Sequence, residues 1–271
     1  MRCRILKTVF LTLLLSAGQT VGQPAPEVKA LRVILVGDST MAPRTGYGDA
    51  LCAMLMPGVD CINLARGGRS SASFRAEGLW GKTMDLLAPG DRAMSTWVLI
   101  QFGHNDQPGK PGRSTDLAVE FPANIERYVD DVKAAGAVPV LVTPLTRRIF
   151  RDGKLHNDLA PWAEATRRVA AARRVPMIDL NTLSAEAVAA MGSAAADTLA
   201  QAPRADSRVA AAASGPAGSP RPEPATQAAA KFDYTHLGVK GADFFARMVA
   251  RQLEIAVPPL APQLNRQPAA R

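Results

Sequence analysis

Five short apolar runs constrain this chain more than any other feature. They are LRVILV (31–36), VDCINLA (59–65), WVLIQFG (97–103), VPVLVTPL (138–145) and VPMIDL (175–180). Runs of this length, bounded by turn residues, fit strands buried on both faces, as in a parallel sheet. Helix-like segments lie between them. Residues 44–56 follow the first run, and AVEFPANIERYVDDVKAA (118–135) stops at Gly136. DLAPWAEATRRVAAARR (158–174) starts with Asp158 as a cap, and HLGVKGADFFARMVARQLEIA (236–256) is a last amphipathic helix. Strands alternating with helices predict βαβ units with right-handed crossovers, an α/β fold with helices on both faces of the sheet. In such folds the turns after the strands gather at one sheet edge, where sites collect.

A chain of 271 residues suits one such domain with a sizeable core. Residues 1–22 read as a signal peptide: Arg2, Arg4 and Lys7 precede TVFLTLLLSA, and the small residues of GQTVG follow. The apolar part is about half of the ~20 residues that span a bilayer, so a membrane anchor is the weaker reading. A secreted or periplasmic protein is expected, with no membrane association after the leader is removed. Its cysteines are then Cys52 and Cys61, which suggest one short disulfide, with two buried free thiols as the alternative. No histidine joins them at ligand spacing, so no metal site is expected. The net charge of +8 is scattered, with no packed basic helix interleaved with aromatics, which argues against nucleic acid as a partner. Residues 193–230, rich in Ala, Pro, Ser and Gly, cannot bury enough area to offset their ordering entropy. About 200–230 is read as a flexible insertion in a domain running from 23 to 257, and 258–271 as a disordered tail.

The first run ends in Gly37, Asp38, Ser39 and Thr40. Ser39 is either the cap of the following helix, the common role of Ser after a strand, or a nucleophile. A nucleophile needs a base, and the chain has three histidines, His104, His156 and His236. Asp233 precedes His236 by three residues, a spacing that sets both side chains on one side of a first helical turn. D-x-x-H is by itself a weak signal, as apt for a capping Asp beside a surface His. Oxyanion donors are also needed. Gly67–Gly68 in NLARGGRSSASF allows close backbone approach, and FGHND (102–106) offers the Asn105 amide. In a parallel sheet the turns after the first three strands open on the same edge, and the last helix can bring His236 there.

Taken together, GDST with Ser39, the turn with Gly68, GHND with Asn105 and DYTH with Asp233 and His236 resemble the four blocks of the SGNH (GDSL-type) hydrolase superfamily. Further stretches, GDSTMAPRTGYGDAL, GGRSSASF, QFGHNDQ and EFPANIERYVDDVKAAGAVPVLVTPLTRRIF, resemble the rhamnogalacturonan acetylesterase group, carbohydrate esterase family twelve. The resemblance implies a three-layer α/β/α sandwich with a five-stranded parallel sheet of order 2-1-3-4-5, flavodoxin-like in architecture. It implies a secreted serine esterase that removes acetyl groups from pectic polysaccharide. No cofactor is expected, and a monomer is. By motif position, Ser39 is the nucleophile, His236 the base and then acid, and Asp233 its orienting carboxylate. The backbone N–H groups of Ser39 and Gly68 and the Asn105 amide form the oxyanion hole. The N-terminus of the following helix adds its positive end near Ser39, which then serves as both cap and nucleophile.

Arg69, His104 and Arg147 are candidates for substrate contacts. Arg69 could grip a galacturonate carboxylate with its planar fork, or buttress the glycine turn through backbone carbonyls. His104 lines the pocket or supports it from behind. Arg147 or Arg148, at the end of the fourth strand, could attract an acidic sugar or be ion-paired. His156 reads as a surface residue and Trp162 as core. The rival readings are the same machinery on acetyl xylan or a short-chain acyl ester, and a carbohydrate-binding protein without catalysis. The first turn lacks the Gly-rich loop that a nucleotide-binding domain needs, and no G-x-S-x-G brackets Ser39.

Overall fold

The computed structural model describes residues 30–88, 94–201 and 232–265. The leader (1–22), most of the Ala/Pro-rich insertion and residues 266–271 lie outside them. All five apolar runs form strands: β1 (Ala30–Gly37), β2 (Val59–Asn63), β3 (Met94–Gln101), β4 (Val138–Val142) and, after the β5–β6 hairpin (Phe150–Arg151, Lys154–Leu155), β7 (Met177–Ile178). The sheet order is β2-β1-β3-β4-β7, all parallel, which is the expected 2-1-3-4-5 arrangement.

The continuous apolar character of the runs has a direct cause. Successive strand residues point to opposite faces, and both faces are covered. Val33, Leu35, Leu99, Val140 and Val142 enter one core, with Leu51 of α1 (Gly48–Cys52), Val188 of α6 (Leu180–Asp197), and Phe245, Val249 and Leu253 of α7 (Val239–Ala256). Ile34, Val36, Val98, Ile100 and Leu141 enter the other. They meet Phe74 of α2 (Ser73–Ala76), Trp80 of α3 (Leu79–Leu86), Phe121, Ile125 and Tyr128 of α4 (Glu120–Ala134) and Trp162 of α5 (Ala160–Arg173). The result is a three-layer α/β/α sandwich.

Four details differ from the sequence reading. Residues 193–200, read as part of the segment that buries too little area, continue α6 to Asp197 and bury Ala196, Leu199 and Ala200. The segment after Ser39 is not a helix but a chain of tight turns. Ala42 N–H donates to Asp38 C=O and Tyr47 N–H to Thr40 C=O, and α1 begins only at Gly48 with Tyr47 as its N-cap residue. The reason is Gly46, which folds so close to Thr40 that a Cβ there would lie 2.2 Å from its carbonyl carbon. Asp158 does not cap α5, whose N-cap position is Leu159. Pro258–Gln263, in the segment expected to be a tail, is a 3₁₀ helix. Its Leu260 is fully buried against the α1/α7 core, and Leu264 bridges Leu55. Two leucines at that spacing give a short segment enough apolar area to hold it down.

Cys52 and Cys61 form a disulfide that ties the end of α1 to β2.

Candidate active site

The turns after β1, β2, β3 and β4 all leave the same sheet edge, as parallel pairing requires. Ser39 sits in the first, buried with 6% of its surface exposed. The turn is set by Asp38, whose Oδ1 accepts from Thr40 N–H (2.9 Å) and Thr40 Oγ1–H (2.8 Å). Gln101, at the end of β3, donates to Thr40 Oγ1 (2.7 Å) and accepts from Tyr47 O–H (2.7 Å). A closed polar network of this kind fixes one geometry for the Ser39 backbone.

Behind it, Asp38 Oδ2 meets His104 Nδ1 at 3.2 Å, both groups fully buried. Burial raises the Asp38 pKa, but His104 and the Thr40 hydrogen bonds outweigh it, and the carboxyl is held below its ordinary value. Burial pushes the His104 imidazole down, outweighing the attraction of Asp38. Asp38 is therefore a carboxylate and His104 a neutral ring donating Nδ1–H to it, with Nε2 buried and unpartnered. His104 is thus bonded to the turn from behind.

The second turn lies against the first. Arg66 N–H donates to Gly37 C=O (2.9 Å), and a Cβ on Gly67 would sit 3.7 Å from the Ser39 Cβ. Gly68 adopts φ +77°, a conformation natural to glycine. Arg69 closes on the turn, Nη1 donating to Gly67 C=O (2.7 Å) while Nε and Nη2 grip Glu77. These bonds tie Arg69 to the glycine turn through a backbone carbonyl. Asn105, on the third turn, donates from Nδ2 to Arg69 C=O (3.1 Å), which sets its amide beside the glycine turn.

The next residue, Asp106, accepts from Ser71 N–H and from the hydroxyls of Ser71 (2.5 Å) and Thr115 (3.1 Å). Burial pushes its pKa up to about 6 against these donors. Tyr128 O–H and Asn124 of α4 hold the same Ser71.

The Asp–His block comes from a distant part of the chain. His236 Nδ1 lies 2.6 Å from Asp233 Oδ2, and Asp233 Oδ1 accepts from the N–H groups of Thr235 and His236. Burial raises the Asp233 pKa, but these bonds outweigh it and hold the carboxyl below its ordinary value. Such a carboxylate fixes the tautomer in which Nδ1 carries the proton and Nε2 is free to act as a base.

Thr45 brings this block to Ser39. Its hydroxyl donates to Ser39 C=O (2.8 Å), and its own C=O accepts from Leu237 N–H (2.9 Å). Arg148 seizes the block from below, donating to the carbonyls of Asp233 (3.0 Å) and His236 (2.9 Å). Burial lowers its pKa to about 10, though the guanidinium stays charged.

Arg147, a candidate substrate contact, is engaged within the fold. It is buried, its guanidinium committed to Asp158, Thr235 Oγ1 and His104 C=O. The sequence reading assigns nothing to Thr45 or Gln101, and offers Arg148 as a contact for an acidic sugar or as an ion-paired residue, not as the anchor of the Asp–His block. Gln101 is the one with a legible signal, a polar side chain inside an otherwise apolar strand. Among the described residues, no group of three His, Cys, Asp or Glu side chains could hold a metal ion.

Ser39, the Gly67–Gly68 turn, Asn105 and the Asp233–His236 pair thus belong to one connected edge. The model of the GDSL-like lipase/acylhydrolase family matches residues 35–202. The chain belongs to that family. Its members are carboxylic ester hydrolases, and the chain is similar to a rhamnogalacturonan acetylesterase-like branch of it. It is 33% identical over 158 residues to a probable rhamnogalacturonan acetylesterase, YesY, of Bacillus subtilis, across 56% of this chain and 70% of that protein. It is 36% identical over 160 residues to the rhamnogalacturonan acetylesterase RhgT of the same organism, across 56% of this chain and 66% of that protein. The crystal structure of Bacillus subtilis YxiM shares its fold, with a TM-score of 0.62 at 22% identity, over 83% of this chain and 56% of that one. The matches thus span about two thirds of the two curated relatives' length and little more than half of YxiM. The family match ends before the Asp–His block, so the geometry, not the match, joins His236 to the site.

Proposed function

We propose that this chain is an exported serine esterase that removes acetyl groups from pectic polysaccharide of the rhamnogalacturonan type. One observation carries the chemical part. A carboxylate-oriented histidine, His236, is tied through Thr45 to the backbone carbonyl of Ser39, in a turn shared with a glycine pair and a fixed amide. The names of the two curated relatives support the substrate, and the basic, then apolar, leader supports export.

In this reading Ser39 Oγ attacks the acetyl carbonyl carbon while His236 Nε2 takes its proton. The carbonyl π electrons move to oxygen, where the Ser39 and Gly68 N–H groups and the Asn105 amide receive the developing charge. The sugar oxygen leaves with the proton from His236, and acetyl–Ser39 remains. Water, deprotonated by His236, then releases acetate and restores Ser39. Of the three catalytic groups only Ser39 is deeply buried, and the half-exposed His236 and Asp233 leave the site open to a polymer.

The test is acetate release from acetylated rhamnogalacturonan by the chain without its leader, beside Ser39→Ala, with acetyl xylan as a second substrate. The reading expects release from the pectic substrate and its loss in Ser39→Ala. Release from acetyl xylan alone would retain the mechanism and discard the substrate. A folded chain inert toward both, and toward 4-nitrophenyl acetate, would discard catalysis.

A further inference from the structure

A cleft of about 490 Å³ opens beside Ser39. Two of its lining residues lie next to Ser39: Thr45 donates its hydroxyl to Ser39 C=O, and a Cβ on Gly67 would sit 3.7 Å from the Ser39 Cβ. Three others are cations from three different elements. Arg44 stands on the turn after β1, Arg66 on the turn after β2, and Lys82 on α3. All three are exposed, and among the described residues none is in an ion pair. Among the described residues no Asp or Glu lines the cleft, and the near carboxylate Asp49 is engaged by Asn63.

Arg44 is also held at φ +67°, a left-handed conformation that costs a non-glycine residue free energy. The tight closure of its loop, with Gly46 N–H on Ala42 C=O and Thr45 on Ser39, enforces that conformation and presents Arg44 at the tip. Three other arginines of this edge are spent. Arg69, Arg147 and Arg148 are bound to Glu77, Asp158 and the Asp–His block. Half-exposed Arg113 donates to Gly68 C=O (3.3 Å) and Lys110 to His104 C=O, whereas the three cleft cations are exposed.

We infer that this cleft is an anion subsite, in which Arg44 and Arg66, with Lys82 at the α3 wall, hold the carboxylate of a uronate residue next to the acetylated sugar. The inference deepens the pectic reading and rests on it for the position of the acetyl group. Its chemistry is separable. Guanidinium groups match a carboxylate in planar, two-point fashion, and a cleft without competing acids keeps them available. A neutral acetylated glycan would gain nothing from them. An esterase that selects galacturonate-bearing chains over acetyl xylan therefore has its discriminator outside the oxyanion hole.

The experiment is calorimetric binding of oligogalacturonate, with neutral xylo-oligosaccharide of equal length as the control ligand, to the otherwise intact chain. Arg44→Gln, Arg66→Gln and their double variant are compared with Arg168→Gln, which matches the charge change of each single variant on α5, where the side chain is 62% exposed. Exposed charge pairs are each worth a few-fold, so the double variant is expected to weaken oligogalacturonate binding about tenfold. Arg168→Gln is expected to leave it as it was. Equal weakening by Arg168→Gln, no weakening by the double variant, or no binding of oligogalacturonate by the unaltered chain overturns the subsite. Acetate release from acetylated rhamnogalacturonan is measured in parallel. Release without a cleft-dependent affinity sinks the subsite alone, and cleft-dependent affinity without release sinks the esterase reading alone.

Discussion

Asp233 shows how one side chain divides its work between fold and chemistry. Oδ1 closes the local turn by accepting two backbone N–H groups, while Oδ2 faces His236 Nδ1. Asp233→Asn can keep the first role through its carbonyl oxygen but presents an N–H₂ to the imidazole, which favours the wrong tautomer. The expected outcome is a loss of about 10³- to 10⁴-fold in kcat on 4-nitrophenyl acetate with the thermal midpoint little changed. A variant within tenfold of wild type would remove Asp233 from the mechanism. Asp106 makes the opposite kind of case. Its pKa, pushed up to about 6 by burial, exceeds the ordinary carboxylate value. The folded chain therefore binds this proton more tightly than the unfolded chain does. The stabilisation is present at low pH and is lost as pH rises through about 6. Relative to Asp106→Asn, which does not titrate, the wild type should lose about 2 to 3 kcal/mol of stability between pH 4 and pH 8. Urea unfolding of both across that range measures it, and a difference flat with pH would show that Ser71 and Thr115 hold the ionised form at no cost.

At the scale of elements, what could be read from the sequence was what burial on both faces writes into it. All five strands carry that mark, as does α4, whose apolar face and terminal Gly136 are explicit. α2 and α6 were illegible for physical reasons. α2 is a single turn of four residues, and α6 is Ala-rich and interrupted at Gly192, so neither shows a strong apolar stripe. Ser39 as a helix cap followed from a generic rule about strand–helix junctions, and the turn enforced by Gly46 defeats that rule. Ser39, Gly68, Asn105, Asp233 and His236 were legible as motifs, yet Thr45 and Arg148, which join them, were not. Their partners are backbone groups, which leave no trace in sequence spacing. The C-terminal segment teaches the same lesson, since two leucines suffice to dock it once a groove exists. Leu260→Ala, at a fully buried site, should cost about 2 to 4 kcal/mol in urea unfolding. An unchanged midpoint would return residues 258–265 to the status of a tail.

For the molecule as a whole, the decisive problem is to bring residues 233–236 to a turn almost two hundred positions earlier in the chain. The fold meets it from two sides. Backbone bonds from Leu237 to Thr45 and from Gly238 to Leu199 fix the block laterally, and Arg148 draws it down onto the end of the β4 edge. Arg148 is fully buried, yet its chief partners are carbonyl oxygens rather than a carboxylate in contact. A buried charge held mainly by dipoles depends on every one of them, so its geometry is sharply specified. The planar fork reaches the carbonyls of Asp233, Thr235 and His236 together, which a lysine ammonium on a flexible stem cannot do. Arg148→Lys keeps the charge and loses the three-point grip. It should lower stability by about 2 kcal/mol and kcat by more than tenfold, while 4-nitrophenyl acetate KM moves less. The kcat loss should persist at temperatures where circular dichroism shows the variant fully folded, which a purely structural role would not produce. If instead the folded variant turns over like wild type, the Thr45 and Leu237 contacts alone position His236, and the buried arginine serves stability only.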